Sequence, residues 1–299
     1  MKNEKKLLTI ITPIYNRSNL LVKLYNSLVE QEEYNFVWLV VDDGSQEDVE
    51  AVVKKLTINA PFLVKFIKKR NGGKHTALNV AFSSMDTDLA MIVDSDDVLT
   101  SNATKLISKK WSLVKNKNVA GMIFLKGYYD GGIVGKSELE DGIYDMIKAM
   151  FKYKIGGDKE EIFRCDVLNK YCFPEYEGEK YIGEDYIWRQ IYLEYKMAYF
   201  NNVIYLCEYL EDGLTKQGRK LRIKCPFGGM DNSKVSFSSK FPIKERIKRG
   251  ILFVTYGKFA NLSFRNIIKK SGCLGLIIIC YLPGYFVYKY WEKKYMENS

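Results

Sequence analysis

The chain has 299 residues, which suffices for one large α/β domain with an appendage, and 47% of them are hydrophobic, as in an ordinary globular protein. Its formal net charge of +10 is uneven: residues 215–299 contain 18 Lys and Arg against 4 Asp and Glu, so the preceding part is net negative. The six cysteines form no Cys-x-x-Cys pair and accompany a single histidine, a composition that argues against a zinc site and is typical of reduced cytoplasmic thiols.

The N-terminal residues do not have the pattern of a secretory signal. Residues 2–6 are rich in lysine, but the apolar run that follows at 7–11 stops at Thr12-Pro13 and is too short for the apolar core of such a signal. We therefore expect a cytoplasmic protein.

Short apolar runs alternate with helical patterns over residues 7–93. Apolar residues at three- and four-residue spacing predict helices, and continuous apolar runs bounded by turn residues predict strands. The predicted strands are residues 7–12, 36–41, 63–68 and 89–93. The predicted helices are residues 19–30, 46–56 and 74–84. This order indicates a Rossmann-like, mostly parallel central sheet flanked by helices.

The pattern after residue 100 is less regular. The predicted segments are a helix at 103–114, a strand at 119–125, a Gly-rich loop at 126–142, a strand-like segment at 158–168, a helix at 184–197 and a strand at 198–205. The last strand is expected to return to the sheet.

Two segments of the basic tail have the composition of membrane-binding elements. Residues 243–262 place apolar residues at helical spacing with Lys and Arg between them, which predicts a basic amphipathic helix. Residues 273–288 are apolar and aromatic, but they are shorter than the ~20 residues that span a bilayer, and Pro283-Gly284 interrupts them. We expect this segment to lie in the membrane interface. An ordinary core helix is the alternative for it, and a solvated surface is the alternative for the basic charge.

Acidic residues follow two of the predicted strands at the point where each ends. Asp42-Asp43 follow the second strand, and Asp94-Ser95-Asp96 follow the fourth. The carboxyl ends of parallel strands are where open α/β sheets bind ligands. Because clustered carboxylates repel one another unless a cation or a donor-rich ligand lies between them, the pattern predicts a nucleotide ligand and a divalent metal.

Four motifs in chain order resemble family 2 glycosyltransferases of the GT-A fold. The motifs are Thr12-Pro13-Ile14-Tyr15-Asn16-Arg17, Val41-Asp42-Asp43-Gly44-Ser45, Asp94-Ser95-Asp96 and Gly183-Glu184-Asp185. The resemblance implies a GT-A nucleotide-sugar-binding and catalytic domain at 1–215 and a helical, membrane-associating extension at 216–299. Segments 71–79, 178–180 and 209–215 look like those of a bacterial subgroup that makes cell-wall and surface polysaccharides.

The candidate donor-binding residues come from the resemblance, which implies the contacts with the base, and from side chains near predicted turns. These are Thr12, Pro13, Tyr15, Arg17, Asp42, Asp43, Asn71, Lys74, Asp94, Ser95 and Arg219. Asp42 or Asp43 would accept the N3–H of a uracil, and Pro13 and Tyr15 would wall the base. A plain turn is the alternative for Asp43-Gly44-Ser45.

Basic residues near predicted turns are candidates for contacts with the diphosphate. Asn71 and Lys74 precede a predicted helix, where backbone donors and an ammonium group would contact the diphosphate or the sugar. Arg219 and Arg222 lie in a predicted polar loop, and Arg219 would close over the diphosphate as part of a lid. A solvated loop is the alternative.

Asp94-Ser95-Asp96 resembles the DXD motif, which implies a bound Mn²⁺ or Mg²⁺ that neutralises the departing diphosphate. Asp96 is the first expected metal ligand and Asp94 the second. Asp97 is interpreted as a cap of the next helix.

Glu184-Asp185 opens a predicted helix and is the candidate catalytic pair. The resemblance implies that Asp185, with Glu184 beside it, is the general base for the acceptor hydroxyl. A helix-capping acid pair is the alternative. A single base and direct displacement imply inversion at the anomeric carbon, and the sequence has no Ser-His-Asp or Cys-His pattern for a covalent route.

These features predict an inverting, metal-dependent glycosyltransferase that uses a nucleotide sugar, expected to be a UDP-sugar. The expected acceptor is a polyprenyl-linked saccharide or a growing surface polysaccharide, and the enzyme would be peripheral on the inner face of the cell membrane, bound to anionic lipid. Nucleic acid is not an expected partner.

Three alternatives remain at this stage. A sugar-phosphate nucleotidyltransferase would need a Gly-rich basic loop in the place of Thr12-Pro13-Ile14-Tyr15-Asn16. A nucleic-acid-binding protein is prompted by the basic tail. A scaffold with an inactive transferase domain is disfavoured by the presence of Asp96 and Asp185.

Overall fold

The computed structural model describes residues 5–135, 139–207 and 214–296, without the side chains of 214–217. The chain forms two compact units, described separately below. The first comprises Met1–Cys172 and Glu194–Glu208, and the second comprises Phe173–Leu193 and Tyr209–Ser299. The predicted division after residue 215 differs from this grouping, because residues 173–193 pack with the C-terminal helices.

The first unit is an α/β fold built on one sheet. Its strands are β1 (Leu8–Ile14), β2 (Phe36–Asp42), β3 (Leu63–Lys68), β4 (Leu89–Ile92), β5 (Val98–Leu99), β6 (Val119–Gly127), β7 (Gly142–Tyr144), β8 (Lys159–Arg164) and β9 (Lys196–Leu206). Its helices are α1 (Leu21–Val29), α2 (Val49–Leu56), α3 (Lys74–Ser83), α4 (Ala103–Val114), α5 (Met146–Lys152) and α6 (Cys165–Leu168). The β-α order predicted for residues 7–93 is confirmed.

The two halves of the sheet differ in strand direction. The strand order is β3-β2-β1-β4-β8-β6-β9-β5, with β7 paired to β9. The first four strands are parallel. Beyond them, β8 is antiparallel to β4 and β6, and β9 returns to the sheet, as predicted, where it pairs with β6 in parallel. Every residue of β1 and β2 is buried, which accounts for their continuous apolar sequences.

Aromatic packing and one glycine keep the first unit's sheet closely packed. The ring of Phe36 lies 4.7 Å, centroid to centroid, from that of Phe62, beside the fully buried Trp38. On β6, a Cβ atom at Gly121 would lie 1.9 Å from the carbonyl oxygen of Ile162. Glycine is therefore required where β6 approaches β8.

Several short elements of the first unit have no counterpart in the sequence prediction. β5, β7 and α5 have two, three and seven residues, too few to display a clear period. The predicted loop 126–142 is shorter than expected, because β6 continues to Gly127 and β7 begins at Gly142. The predicted strand-like segment 158–168 ends as a strand at Arg164 and continues as α6.

The second unit is helical in the part that the structure describes. Its helices are α7 (Asp185–Glu194), α8 (Leu214–Lys224), α9 (Pro226–Val235), α10 (Ile243–Phe259), α11 (Phe264–Ser271) and α12 (Leu274–Tyr295). α10 packs against both α9 and α12. A Cβ atom on Gly250 of α10 would lie 2.6 Å from the Cys280 sulfur, and one on Gly284 of α12 would lie 2.6 Å from Val254 Cβ. The two glycines thus permit the close approach of α10 and α12.

Helix α12 corrects the prediction for the apolar segment 273–288. That segment belongs to a continuous helix of 22 residues that passes through Pro283. By length and composition alone, this helix can cross a membrane, and 28% of its apolar window is buried in the protein. The expectation that the segment is interrupted and too short to span is therefore wrong.

Candidate active site

Asp43, directly after β2, holds the glycine turn that precedes α3. Its buried carboxylate accepts hydrogen bonds from the backbone N–H groups of Gly72 (3.0 Å) and Gly73 (2.7 Å). It also accepts from the side-chain amide of Asn71 (2.9 Å) and the ammonium group of Lys69 (2.8 Å). Both carboxylate oxygens are occupied, so the geometry favours a structural task for Asp43 and Asn71 over the predicted donor contact.

Asp42, the last residue of β2, has one carboxylate oxygen left over. The side chain is fully buried, and its Oδ1 accepts a hydrogen bond of 2.8 Å from the N–H of Ser45. Its Oδ2 has no hydrogen-bond partner within the described residues, and the ammonium group of Lys68 lies 3.5 Å away. A buried carboxylate oxygen in this state is costly and suits a donor N–H. Because solvent does not reach this oxygen, a ligand would contact it only after a neighbouring side chain moves.

The predicted donor-binding residues of β1 divide into buried and exposed groups. Thr12 is buried and its hydroxyl accepts a hydrogen bond of 3.0 Å from the Trp38 indole, and Pro13 is also buried in the strand. Tyr15, just beyond the strand, is 44% exposed. The N–H of Asn16 donates to the Ser45 hydroxyl at 2.9 Å, which ties this loop to the end of β2.

Three carboxylates converge after β4. Ligand oxygens of Asp94, Asp96 and Asp97 all lie within 4.8 Å of one another. Asp97 accepts a hydrogen bond of 2.6 Å from the hydroxyl of Tyr205 on β9. The interpretation of Asp97 as a helix cap is wrong, because α4 begins only at Ala103, with Asn102 before it. Sequence reasoning missed Asp97 as a site residue, although it directly follows the recognised motif.

Cations from three separate elements surround this acidic cluster. The ammonium group of Lys74, at the start of α3, lies 2.6 Å from Asp94 Oδ1. The guanidinium of Arg17 lies 3.8 Å from Asp96 Oδ2. Lys126 on β6, which sequence reasoning did not identify, lies over the Tyr205 ring and interacts electrostatically with Asp94. The structure thus brings together four of the predicted residues: Arg17, Lys74, Asp94 and Asp96.

Burial and the neighbouring charges shift the pKa values of the three acids in different directions. Burial opposes ionisation of Asp94, but Lys74 and the neighbouring cations outweigh it and lower its pKa. Burial and the charge of Asp94 raise the pKa of Asp96. Burial, with a smaller contribution from Asp94 and Asp96, raises the pKa of Asp97 to about 7 against the opposing Tyr205 hydrogen bond. The cluster therefore resists carrying three negative charges by itself.

The donor set of this cluster suits a hard divalent cation. Carboxylate oxygens are the protein ligands that Mg²⁺ and Mn²⁺ favour, and a cation would offset both the burial and the mutual repulsion that raise the pKa values of Asp96 and Asp97. Ser95 is 7% exposed and lies between the first two acids. Lys74 and Arg17 supply positive charge that a phosphate group can share.

Asp185, the first residue of α7, lies in a network within the second unit. Its Oδ1 accepts a hydrogen bond of 2.6 Å from the Asn232 amide. Its Oδ2 lies 3.4 Å from Arg189 and 3.8 Å from Arg249. Both arginines also pair with the buried Glu245, at 3.1 and 2.8 Å. Asp185 remains 45% exposed, so it is positioned by its neighbours and still open to a ligand.

A cavity of about 180 Å³ opens beside Asp185. The side chains that line it include Tyr181, Asp185, Arg222, Asn232, Arg249 and Tyr256. Glu184, the other predicted catalytic residue, precedes α7 and is partly buried. The surroundings of Asp185 are thus polar, and they combine an acceptor carboxylate with several hydrogen-bond donors.

Arg219 does not lie in the predicted polar loop. It belongs to α8, in which Gly218 interrupts the helical backbone, and its guanidinium lies 4.6 Å over the ring of Trp291. This cation–π contact places the face of the guanidinium against Trp291, within the second unit. The family-like segment 209–215 falls partly outside the described residues, namely at 209–213.

Comparison with known protein families extends the geometric account. The model of the family described as Glycosyl transferase family 2 matches residues 9–165. The chain is 25% identical over 239 residues to a Campylobacter jejuni protein named GalNAc(5)-diNAcBac-PP-undecaprenol beta-1,3-glucosyltransferase, covering 76% of this chain and 73% of the relative. For other curated relatives the chain spans about half or less of their length, for example 31%, 14% and 51%.

Solved structures confirm the expected GT-A fold. Residues 1–349 of Staphylococcus aureus TarS in complex with UDP-GlcNAc match with a TM-score of 0.61 at 16% identity, over 96% of this chain and 92% of that one. The mannosyltransferase PcManGT from Pyrobaculum calidifontis, in complex with GDP-Man and Mn²⁺, matches with a TM-score of 0.56 at 15% identity, over 97% and 84%. At this identity the likeness concerns the fold alone.

Proposed function

We propose, from the premise that the chain belongs to glycosyl transferase family 2, that it transfers a sugar from a nucleotide donor to a surface-glycan acceptor. The observation that carries the proposal is the convergence of Asp94, Asp96 and Asp97 with Lys74 and Arg17 at the end of β4. An acidic cluster with basic neighbours suits a divalent cation bound to a diphosphate.

The acidic cluster would hold Mn²⁺ or Mg²⁺ through Asp96, Asp94 and Asp97. The cation would neutralise charge on the diphosphate as the glycosidic bond breaks. Lys74 and Arg17 would contact the phosphate oxygens, and this role agrees with their positions beside Asp94 and Asp96. The similar PcManGT structure is a complex with Mn²⁺, which supports a divalent ion.

Asp42 is the better candidate of the predicted pair for contact with a uracil base. Asp43 is occupied by the glycine turn, whereas Asp42 Oδ2 lacks a hydrogen-bond partner in the described structure. The exposed Tyr15 would cover the base from the loop after β1. The similar TarS structure is a complex with UDP-GlcNAc, which supports a UDP-sugar donor.

Asp185 would act as the general base of an inverting transfer. The acceptor hydroxyl would lose its proton to the Asp185 carboxylate, and its oxygen would bond to the anomeric carbon as the nucleoside diphosphate leaves with the electrons of the broken bond. Arg189, Arg249 and Asn232 hold the carboxylate in place. Glu184 would assist beside it.

The C-terminal residues and one relative support a proposal for the acceptor and for the location of the enzyme in the cell. The name of the Campylobacter jejuni relative contains an undecaprenol diphosphate acceptor, which supports a polyprenyl-linked or polymeric glycan acceptor. Exposed apolar side chains recur along one side of α12: Leu274, Ile278, Ile279, Leu282, Phe286 and Tyr290. Together with the net positive charge of residues 215–299, this stripe supports a peripheral enzyme on the inner face of the cell membrane, on anionic lipid.

A donor screen tests the proposal directly. Release of nucleoside diphosphate is measured for a panel of UDP- and GDP-sugars, with Mn²⁺, with Mg²⁺ and with a chelator, using extracted lipid-linked glycans as acceptors. We expect turnover with a UDP-sugar that stops with the chelator. Absence of turnover together with absence of nucleotide binding in calorimetry would contradict the proposed function.

A further inference from the structure

The cavity beside Asp185 is large enough for part of a substrate. Its volume of about 180 Å³ is more than ten times the roughly 15 Å³ that one water molecule requires. All its lining residues belong to the second unit, chiefly to α9, α10 and the segment just before α7. Two glycines of α9 allow its walls to pack closely: a Cβ on Gly229 would lie 2.8 Å from the Tyr256 ring, and one on Gly228 would lie 2.6 Å from Ile182.

Within the described residues, the charged side chains that line this cavity are Asp185, Arg222 and Arg249. Asp185 and Glu245 are both paired with Arg189 and Arg249, so two acids face two bases. Arg222 of α8 adds a further positive charge to the lining.

Arg222 lies outside the network of ion pairs that the described residues form around Asp185. It hydrogen-bonds the hydroxyl of Tyr181 and feels Asp185 only electrostatically. Within the described residues no carboxylate lies at ion-pair distance from it. A guanidinium on a cavity wall, with tyrosine hydroxyls of Tyr181 and Tyr256 nearby, matches the geometry of a phosphate group.

We infer that this cavity is an acceptor subsite in which Arg222 binds a phosphate group of the acceptor while Asp185 receives the proton of the reacting hydroxyl. The inference rests on the proposed function, and it narrows the acceptor to glycans that carry a phosphate ester. Two sources share this chemistry, a lipid-linked diphosphate and a phosphodiester of a glycan polymer. A phosphodiester of an alditol polymer presents an anion at every repeat, and a lipid-linked diphosphate presents one at the first sugar.

Steady-state kinetics of Arg222→Gln and Arg222→Lys test the subsite, with Arg265→Gln, an exposed arginine of α11, as the matched control. Three acceptors are compared: a lipid-linked diphosphate saccharide, a soluble alditol-phosphate polymer and a phosphate-free glycan. For whichever phosphorylated acceptor is used, Arg222→Gln should raise the acceptor KM roughly 10-fold to 100-fold and leave the donor KM within about twofold. Arg222→Lys should retain part of the affinity, and Arg265→Gln all of it.

Three results would overturn the inference. An equal loss on the phosphate-free glycan would mean that Arg222 is structural. A raised donor KM with an unchanged acceptor KM would assign Arg222 to the donor diphosphate. Unchanged kinetics would leave Arg222 with no role in binding. If Arg222→Gln does not fold, as judged by thermal unfolding, Arg222→Lys with the same comparison decides.

A binding measurement separates failure of the subsite from failure of the proposed function. Inorganic phosphate is titrated by calorimetry into the wild-type protein, Asp185→Asn and Arg222→Gln without a nucleotide sugar. Binding to the first two and not to the third supports the subsite even if no sugar transfer is found. Equal phosphate binding by all three contradicts it even if transfer is found.

Discussion

The hydroxyl of Tyr205 donates a hydrogen bond of 2.6 Å to the carboxylate of Asp97, across 108 positions of the chain. Tyr205 lies on β9, whose pairing with β5 places it directly beside the acidic cluster. The contact fixes one of three carboxylates that repel one another, and it leaves the other two to Arg17 and Lys74.

Asp96→Asn should abolish most of the metal-dependent activity. The amide loses one negative ligand, so we expect kcat/KM to fall by about 10²–10³ and the Mn²⁺ concentration for half-activation to rise. Product release from a UDP-sugar measures both. Asp86→Asn, which changes an exposed surface acid, is the matched control. Equal Mn²⁺ activation of the two variants would remove Asp96 from metal binding.

The stability of the metal-free protein should fall as the pH rises from about 4 to about 7. The pKa of Asp97 is raised to about 7 by burial, so the folded state binds a proton that the unfolded state has already released. The associated stability is complete below the unfolded pKa and is lost as the pH rises through the folded one. Urea unfolding at pH 4.5 and 7.5 measures the difference, which Asp97→Asn should reduce. The assignment would be contradicted by two results together: a stability of the wild type that rises over this pH interval, and an Asp97→Asn variant with the same pH dependence of stability.

Substitutions of Asp42 and Asp43 should have different effects: the first should weaken ligand binding, and the second should lower the stability of the fold. Asp43→Ala leaves four donors of the glycine turn without their acceptor, so we expect a loss of about 3 kcal/mol in the free energy of unfolding. Asp42→Asn keeps an oxygen for the Ser45 N–H and should cost little stability, while weakening UDP binding by about tenfold. Urea unfolding and UDP calorimetry report the two effects. If Asp43→Ala lost affinity for UDP without losing stability, Asp43 would be the ligand contact instead.

Asp185→Asn should slow the chemical step without changing donor affinity. Loss of the base is expected to reduce kcat by about 10²–10⁴, while the donor KM stays within about twofold. Glu177→Gln, an exposed acid of the same unit, is the matched control. A donor KM that rises together with the fall in kcat would place Asp185 at the donor.

The apolar stripe of α12 should be required for membrane binding. Ile278, Leu282 and Phe286 are 57%, 65% and 68% exposed, so replacing each by Glu does not disturb the core. We expect each change to weaken binding to anionic vesicles by about 10-fold to 100-fold in a sedimentation assay. Ile58→Glu, at a 76% exposed site of the first unit, should bind as the wild type does.

The same assay distinguishes a surface helix from a spanning one. A surface-bound protein should be released by alkaline carbonate and weakened by added salt. Protein that resists carbonate, with the Glu variants unaffected, would contradict the peripheral arrangement.

The local pattern of apolar and polar residues was sufficient to predict the alternating strands and helices from β1 to β4. The alternation from β1 to β4 rests on neighbouring residues, and so does the placement of Asp42 and Asp96 at strand ends. What escaped prediction depends on contacts between distant residues. The Asp97–Tyr205 bond requires β5, a two-residue strand with no periodic signal, to find β9.

The difference between Asp42 and Asp43 also escaped prediction. Two adjacent aspartates are equivalent in sequence, and only the position of the turn at Gly72-Gly73 decides which of them is saturated. Residues 173–193 similarly join the second unit through long-range bonds, such as those from Phe227 and Gly228 to Glu179.

The glycine contact between α10 and α12 has a mechanical consequence. At Gly250 and Gly284 the two helices are in close contact, so we expect a displacement of one helix to displace the other. α12 contains the apolar stripe, and α10 contains Arg249, which contacts the Asp185 carboxylate. In the proposed membrane-bound enzyme, a displacement of α12 by lipid would therefore change the position of Arg249 beside the Asp185 carboxylate.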